Sequence, residues 1–251
     1  MAEQVAAGTL PPVEERLPPD PVVVTPTNMV GTYGGTLRSE NLAPETTSDA
    51  QILMATGFTR FSHDLSVMYP ELLESFQFNE DATSCTMILR KGLKWSDGEP
   101  FGMDDVMFYL DDLTYDTDFS PSLNAIWRTG TEPAAYTRVD DYTRRVDFAV
   151  PNPAFPVLHR SGAPARPYAP KHYLSQFHPK YNASADAEAV AAGYNNWQAR
   201  IGDLDDVNYG AQEVDLPVLD PWIPVRNDSQ GMTFVRNPYY WKVDTEGKQL
   251  P

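Results

Sequence analysis

Residues 84–113 read SCTMILRKGLKWSDGEPFGMDDVMFYLDDL, from Ser84 to Leu113. The order is strand, turn, helix. Thr86 to Leu89 is a short strand-compatible run, and Lys91-Gly92 and Ser96-Asp97-Gly98-Glu99-Pro100 are turn chemistry. Gly102 is placed to cap a helix. Asp105, three residues later, can accept from a free backbone N–H, and Asp104 and Asp105 lie where the helix dipole favours negative charge. Val106, Leu110 and Leu113 recur at four and three residues, which gives one apolar stripe. The single cysteine, Cys85, falls inside the strand and reads as a buried, inert thiol.

The same residues carry a family resemblance. LRKGLKWSDGEPFGMDDV closely resembles the signature of the family 5 extracellular solute-binding proteins, the dipeptide and oligopeptide receptors of ABC importers. That pattern is LR-x-G-x-x-aromatic-x-DG-x-P-hydrophobic-TA-x-DV. Leu89, Arg90, Gly92, Trp95, Asp97, Gly98, Pro100, Asp105 and Val106 match in register, whereas Gly102 and Met103 stand in place of Thr and Ala. The resemblance implies a mixed α/β fold of the type II periplasmic-binding-protein kind, a mixed sheet with flanking helices.

The resemblance extends outward on both sides. YGGTLR, ending at Arg38, is similar to the family's first strand, and the segment from Val67 to Phe76 to the one preceding the signature. A loop over 39–44 follows the first strand, then a helix capped by Thr47 or Ser48 and running through Ile52, Leu53 and Met54. In resembling proteins that loop lines the ligand cleft, which implicates Glu40 and Asn41. Beyond the signature, 116–127 is loop-like. Residues 139–148 read as a hairpin with Asp140-Asp141 near its tip. ARPYAPKHYL, from Ala165 to Leu174, resembles a family stretch that opens a helix, and 185–201 is the longest helical pattern. Arg236-Asn237-Pro238-Tyr239-Tyr240-Trp241 resembles the end of the first lobe. Family members continue for a similar length again, so residues 31–251 are expected to be a first lobe without its C-terminal return segment, the second lobe missing. No internal repeat stands in for that half.

Residues 1–30 are rich in proline, with Leu10-Pro11-Pro12 and Leu17-Pro18-Pro19-Asp20-Pro21, and are expected to be an extended arm without helix, with Val22 to Val24 as an edge strand. No signal peptide is visible in residues 1–20, and no apolar run approaches bilayer-spanning length. The resemblance therefore implies a periplasmic or extracellular protein written without its leader, tethered to the membrane as a lipoprotein. A formal charge of -16 is opposed to nucleic-acid binding and reads as a solvated acidic surface.

Chemistry-bearing constellations are scarce. Asp104-Asp105 and Asp111-Asp112 are adjacent on a helix and point about 100° apart, so neither forms a catalytic carboxylate pair. His172 and His178 lack metal-ligand spacing, and no G-x-S-x-G elbow, dinucleotide turn or Walker loop occurs. No cofactor, metal or enzymatic activity is expected. Trp127 and Trp222 lie in or beside expected loops, where rings pack or bind ligands; Trp95 reads as core. The reading is a monomeric solute receptor, of peptides by resemblance, that presents its ligand to a membrane ABC permease by closing two lobes. Its ligand-binding candidates are Glu40, Asn41, Trp127 and Trp222. The alternative is a one-lobe interaction module without transport.

Overall fold

The signature stretch forms a strand, Ser84–Leu89, a turn-rich loop and a helix, Met103–Phe108. In this computed structural model, residues 1–40, 56–160, 166–205, 214–228 and 231–250 are described. The chain divides into two compact units: Met1–Met54, Lys91–Pro100 and Asn208–Pro251 form one, and Ala55–Arg90 with Phe101–Val207 the other. The signature contributes to both.

The second unit is built on a four-stranded antiparallel sheet in the order Leu73–Phe78, Ser84–Leu89, Thr143–Asp147, Ala135–Arg138. Alternation sends Cys85, Met87 and Leu89 inward from one central strand and Arg144 and Val146 from the other. The expected hairpin is present. Asp140 Oδ1 accepts from the Tyr142 and Thr143 amides, each at 2.8 Å, and so fixes the turn. At the helix start, Asp105 Oδ2 accepts from the Gly102 N–H at 3.0 Å, while its Oδ1 accepts from Lys171 N at 3.1 Å. The expected stripe of Val106, Leu110 and Leu113 is buried, although the helix continues through 109–114 as a wider π-helical turn. Cys85 is buried, and desolvation pushes its thiol up to about 11.

The long helix expected over 185–201 is two, Ala185–Ala191 and Trp197–Leu204. Gly193 takes φ +94, a conformation that stops a helix. Asn196 then caps the second, its Oδ1 accepting from Ala199 N at 2.8 Å.

In the first unit, the proline-rich segment departs from the helix-free expectation: Ala2–Ala6 and Val13–Arg16 are short helices. The prolines flank these turns instead of interrupting them, Pro12 occupying a cap position. Val22–Val24 is a strand, pairing parallel with Lys242–Asp244. Two signature glycines show why they are required. Gly92 takes φ +78, and a Cβ there would come within 2.6 Å of Pro19 Cδ; Gly98 takes φ +96, with the Tyr239 ring 2.9 Å from such a Cβ. Trp95 is fully buried, as expected. The helix expected through Ile52, Leu53 and Met54 lies outside the described residues. Among the described residues, no helix is long and apolar enough to cross a membrane.

Candidate functional site

Within the second unit a cavity of about 320 Å³ opens among Tyr109, Phe119, Ser120, Asn124, Trp127 and Asp205. Three segments converge on it: the π-helical turn, the loop before residue 127 and the end of the helix Trp197–Leu204. The loop is held by short-range polar bonds. Ser120 Oγ donates to Leu113 O at 2.7 Å, and Asn124 Oδ1 accepts from Ile126 N at 3.1 Å to cap the single turn Ala125–Trp127.

Trp127 ends that turn at 3% exposure. Its ring stacks on His159 with centroids 4.9 Å apart and planes at 29°, and it meets Tyr109 at 6.0 Å and Tyr136 at 6.2 Å. Burial, reinforced by the nearby Arg144 guanidinium, holds the His159 imidazole well below its ordinary pKa, so Trp127 stacks on a neutral ring. Tyr115 braces the wall, its hydroxyl lying 3.1 Å from Trp127 O and 2.9 Å from Ala134 O. Burial pushes Tyr109 up to about 12, with the Asp205 carboxylate adding to the shift, so this phenol stays neutral. Asp205 pairs with Arg166 at 2.5 Å, both side chains about nine-tenths buried. The arrangement offers flat rings with hydroxyl, amide and carboxylate groups at their edges. It suits uncharged or zwitterionic solutes that stack and hydrogen-bond.

The four expected ligand residues fall differently. Trp127 is a buried cluster residue that also walls the cavity. Trp222, expected beside a loop, opens the strand Trp222–Asp228 of the first unit, half-buried and paired with Arg236. Glu40 is exposed, and Asn41 lies outside the described residues. Tyr109, Phe119 and Asp205 were not singled out in sequence. Tyr109 carried a signal, as an aromatic beside the apolar stripe; Asp205 is brought in only by the tertiary fold. The acidic pairs do not converge: Asp104 meets Arg138 at 2.6 Å on the surface, while Asp105 is buried at its cap. Asp111 is exposed, whereas Asp112 is buried against Lys180 at 2.5 Å and Tyr181 at 2.6 Å.

Residues 67–251 match the family model described as bacterial extracellular solute-binding proteins, family 5 Middle. The periplasmic alpha-galactoside-binding protein of Rhizobium meliloti is 34% identical over 98% of this chain and 36% of its own length. Among solved structures, one named oligopeptide-binding protein OppA superposes with a TM-score of 0.87 at 33% identity, covering 100% of this chain and 39% of that one. The periplasmic binding protein MelB of Agrobacterium fabrum C58, in complex with stachyose, gives a TM-score of 0.74 at 31% identity, over 98% and 38%. The chain thus spans less than two-fifths of these relatives' lengths, and its mixed α/β architecture corresponds to part of a type II periplasmic binding protein. Its signature, its fold and these matches place the chain in family 5 of the bacterial extracellular solute-binding proteins.

Proposed function

We propose that this chain is the first-lobe portion of an extracytoplasmic receptor that captures a small solute and delivers it to a membrane ABC permease by lobe closure. The carrying observation is the aromatic cavity edged by hydroxyl, amide and carboxylate groups, in a chain of family 5. Rings of this kind bind solutes without bond making or breaking, and no enzymatic step is assigned. In this reading residues 31–251 form the lobe and 1–30 its arm, and the protein acts as a monomer. It sits in the periplasm or at the cell exterior, and a lipid anchor is the proposed tether.

The solute class favoured is an α-galactosyl oligosaccharide. Two relatives that are 34% and 31% identical to this chain over the matched region support it, one named for α-galactosides and one bound to stachyose. Flat rings that stack on sugar faces, with polar groups at the edges, suit such a ligand. A peptide is the second reading, favoured by the OppA superposition. Trp127, Trp222, Glu40 and Asn41 are proposed as ligand-facing residues, Trp127 through its cavity.

Thermal shift and tryptophan fluorescence, on this chain and on the complete product of its reading frame, decide between the two. Raffinose and stachyose are expected to raise Tm and perturb fluorescence while tripeptides do neither. Tripeptide stabilisation alone would move the assignment to peptides. Silence from both classes in the complete product would remove the receptor reading in favour of an interaction module.

A further inference from the structure

Arg144 lies on the buried face of strand Thr143–Asp147, paired in register with Met87, and is 1% exposed. Its Nη2 donates to Met87 Sδ at 3.4 Å, while Nε and Nη1 reach no acceptor. The guanidinium instead lies over two rings, 4.8 Å from the Phe58 centroid and 5.2 Å from that of Tyr136. Both His159 ring nitrogens are also buried without a partner, whereas the Tyr136 hydroxyl interacts with that of Tyr115. His159 belongs to the same cluster, 6.3 Å from Phe58 and stacked on Trp127, which in turn meets Tyr136. Four unpaired polar atoms, two on Arg144 and two on His159, therefore lie against one aromatic cluster.

The rings alone leave this charge poorly compensated. A desolvated cation over an aromatic face recovers only part of what is lost on taking a charge out of water. The ionisable neighbours supply no negative charge. Desolvation pushes Tyr136 far up, Tyr115 up to about 12 and Cys85 up to about 11, so all three stay protonated at neutral pH. Burial keeps His159 neutral, leaving one N–H on its ring. The enclosure thus holds one positive charge with an additional N–H donor and no anionic side chain among these neighbours.

We propose that this enclosure binds one small monovalent anion of halide size, held by the Arg144 guanidinium with the His159 N–H as a further donor. The near-complete burial of Arg144 and His159 leaves no opening for a carboxylate-bearing solute, so the occupant is an ion enclosed with the fold. The inference is independent of the solute reading, because it concerns the packing behind Trp127.

Crystals of the chain grown in bromide test it directly. An anomalous peak within hydrogen-bond distance of Arg144 Nε or Nη1 is expected; bromide confined to surface lysines, or water alone in the enclosure, overturns the proposal. In solution, chloride or bromide should raise Tm above that in gluconate at equal ionic strength, by about 3 °C or more at roughly ten times the dissociation constant. Arg144→Met should abolish that rise. His159→Phe, which keeps an aromatic ring in the packing, should fold and show a smaller rise. Equal Tm in all three salts for the unaltered protein refutes the proposal whatever the variants do.

Discussion

Two arginines are buried among the described residues, and they are buried differently. Arg16, in the first unit, is 5% exposed; its Nε donates to Pro11 O at 3.0 Å, and its Nη1 donates to Gln249 Oε1 at 2.9 Å and to the Pro238 carbonyl. Gln249 in turn donates to Pro238 O and Tyr240 O, so the guanidinium is met by an organised set of carbonyl dipoles. Arg144, in the second unit, has aromatic faces and one thioether. Burial lowers the pKa of both, that of Arg144 to about 10, yet both stay charged at neutral pH. The contrast separates burial from isolation. A guanidinium can be taken out of water when carbonyls replace the water, and Arg16 uses that replacement to join residues 11, 238 and 249.

Breaking the Arg16 side of the comparison should give the largest effect. Arg16→Ala leaves the Gln249 and Pro238 oxygens short of a charged donor and removes a clip between distant segments. A destabilisation of about 3 kcal/mol is expected, read as a drop in Tm or in the urea midpoint. Arg16→Lys should recover little of it, because one ammonium lacks the fork that reaches Pro11 and Gln249 together. A Tm for Arg16→Ala equal to the unaltered protein's would show that the carbonyl set is not what holds these segments.

The two arginines also differ in how visible their roles are from sequence. Period-two alternation along Arg144, Val146 and Phe148 places Arg144 inward, and the turn chemistry at Asp140 fixes that register. What alternation cannot show is that no carboxylate among the described residues meets it, because its neighbours Phe58, Met87 and Tyr136 come from separate strands and loops. Arg16 lay within a proline-rich run that read as an arm, and its partners Pro238 and Gln249 lie more than 200 residues away. The signature glycines were legible as turns, yet the reason they must be glycine is the close approach of Pro19 and Tyr239. Local chemistry, such as the Asp105 cap and the hairpin, could be read from spacing alone. The division of the 185–201 helix could not be read from its alanine content, because one left-handed glycine outweighs favourable propensity. At the candidate site, Trp127 was legible as a loop aromatic, but its cavity needs Tyr109, Phe119 and Asp205 from separated segments.

His159 sharpens the comparison from the side of pH. Unfolded, its imidazole titrates near the ordinary value of about 6.5; folded, burial and then Arg144 hold it well below. Below about 6.5 the unfolded chain therefore binds a proton that the folded chain refuses, so stability is lost as pH falls, by up to about 1.4 kcal/mol per unit. Asp64, Asp81 and Asp244, all lowered by hydrogen bonds, lose stability in the same direction, but only in the carboxylate range. Melting between pH 7 and 5 should thus show a fall that His159→Phe largely removes. An identical fall in the variant would place the proton elsewhere.

The smallest change in stability is expected at Arg144, and its smallness is the informative part. Arg144→Met replaces a buried charge by an apolar side chain of similar length, within contact of Phe58 and Met87. Such exchanges are neutral or stabilising when the charge was poorly compensated, because the desolvation cost disappears with it. In gluconate the variant should match or exceed the unaltered protein, within about 1 kcal/mol, and in chloride the unaltered protein should recover the difference. A loss in gluconate as large as that of Arg16→Ala would mean that the aromatic faces satisfy this guanidinium as fully as carbonyls satisfy the other. The two modes of burial would then be energetically equivalent, and no anion would be required to explain Arg144.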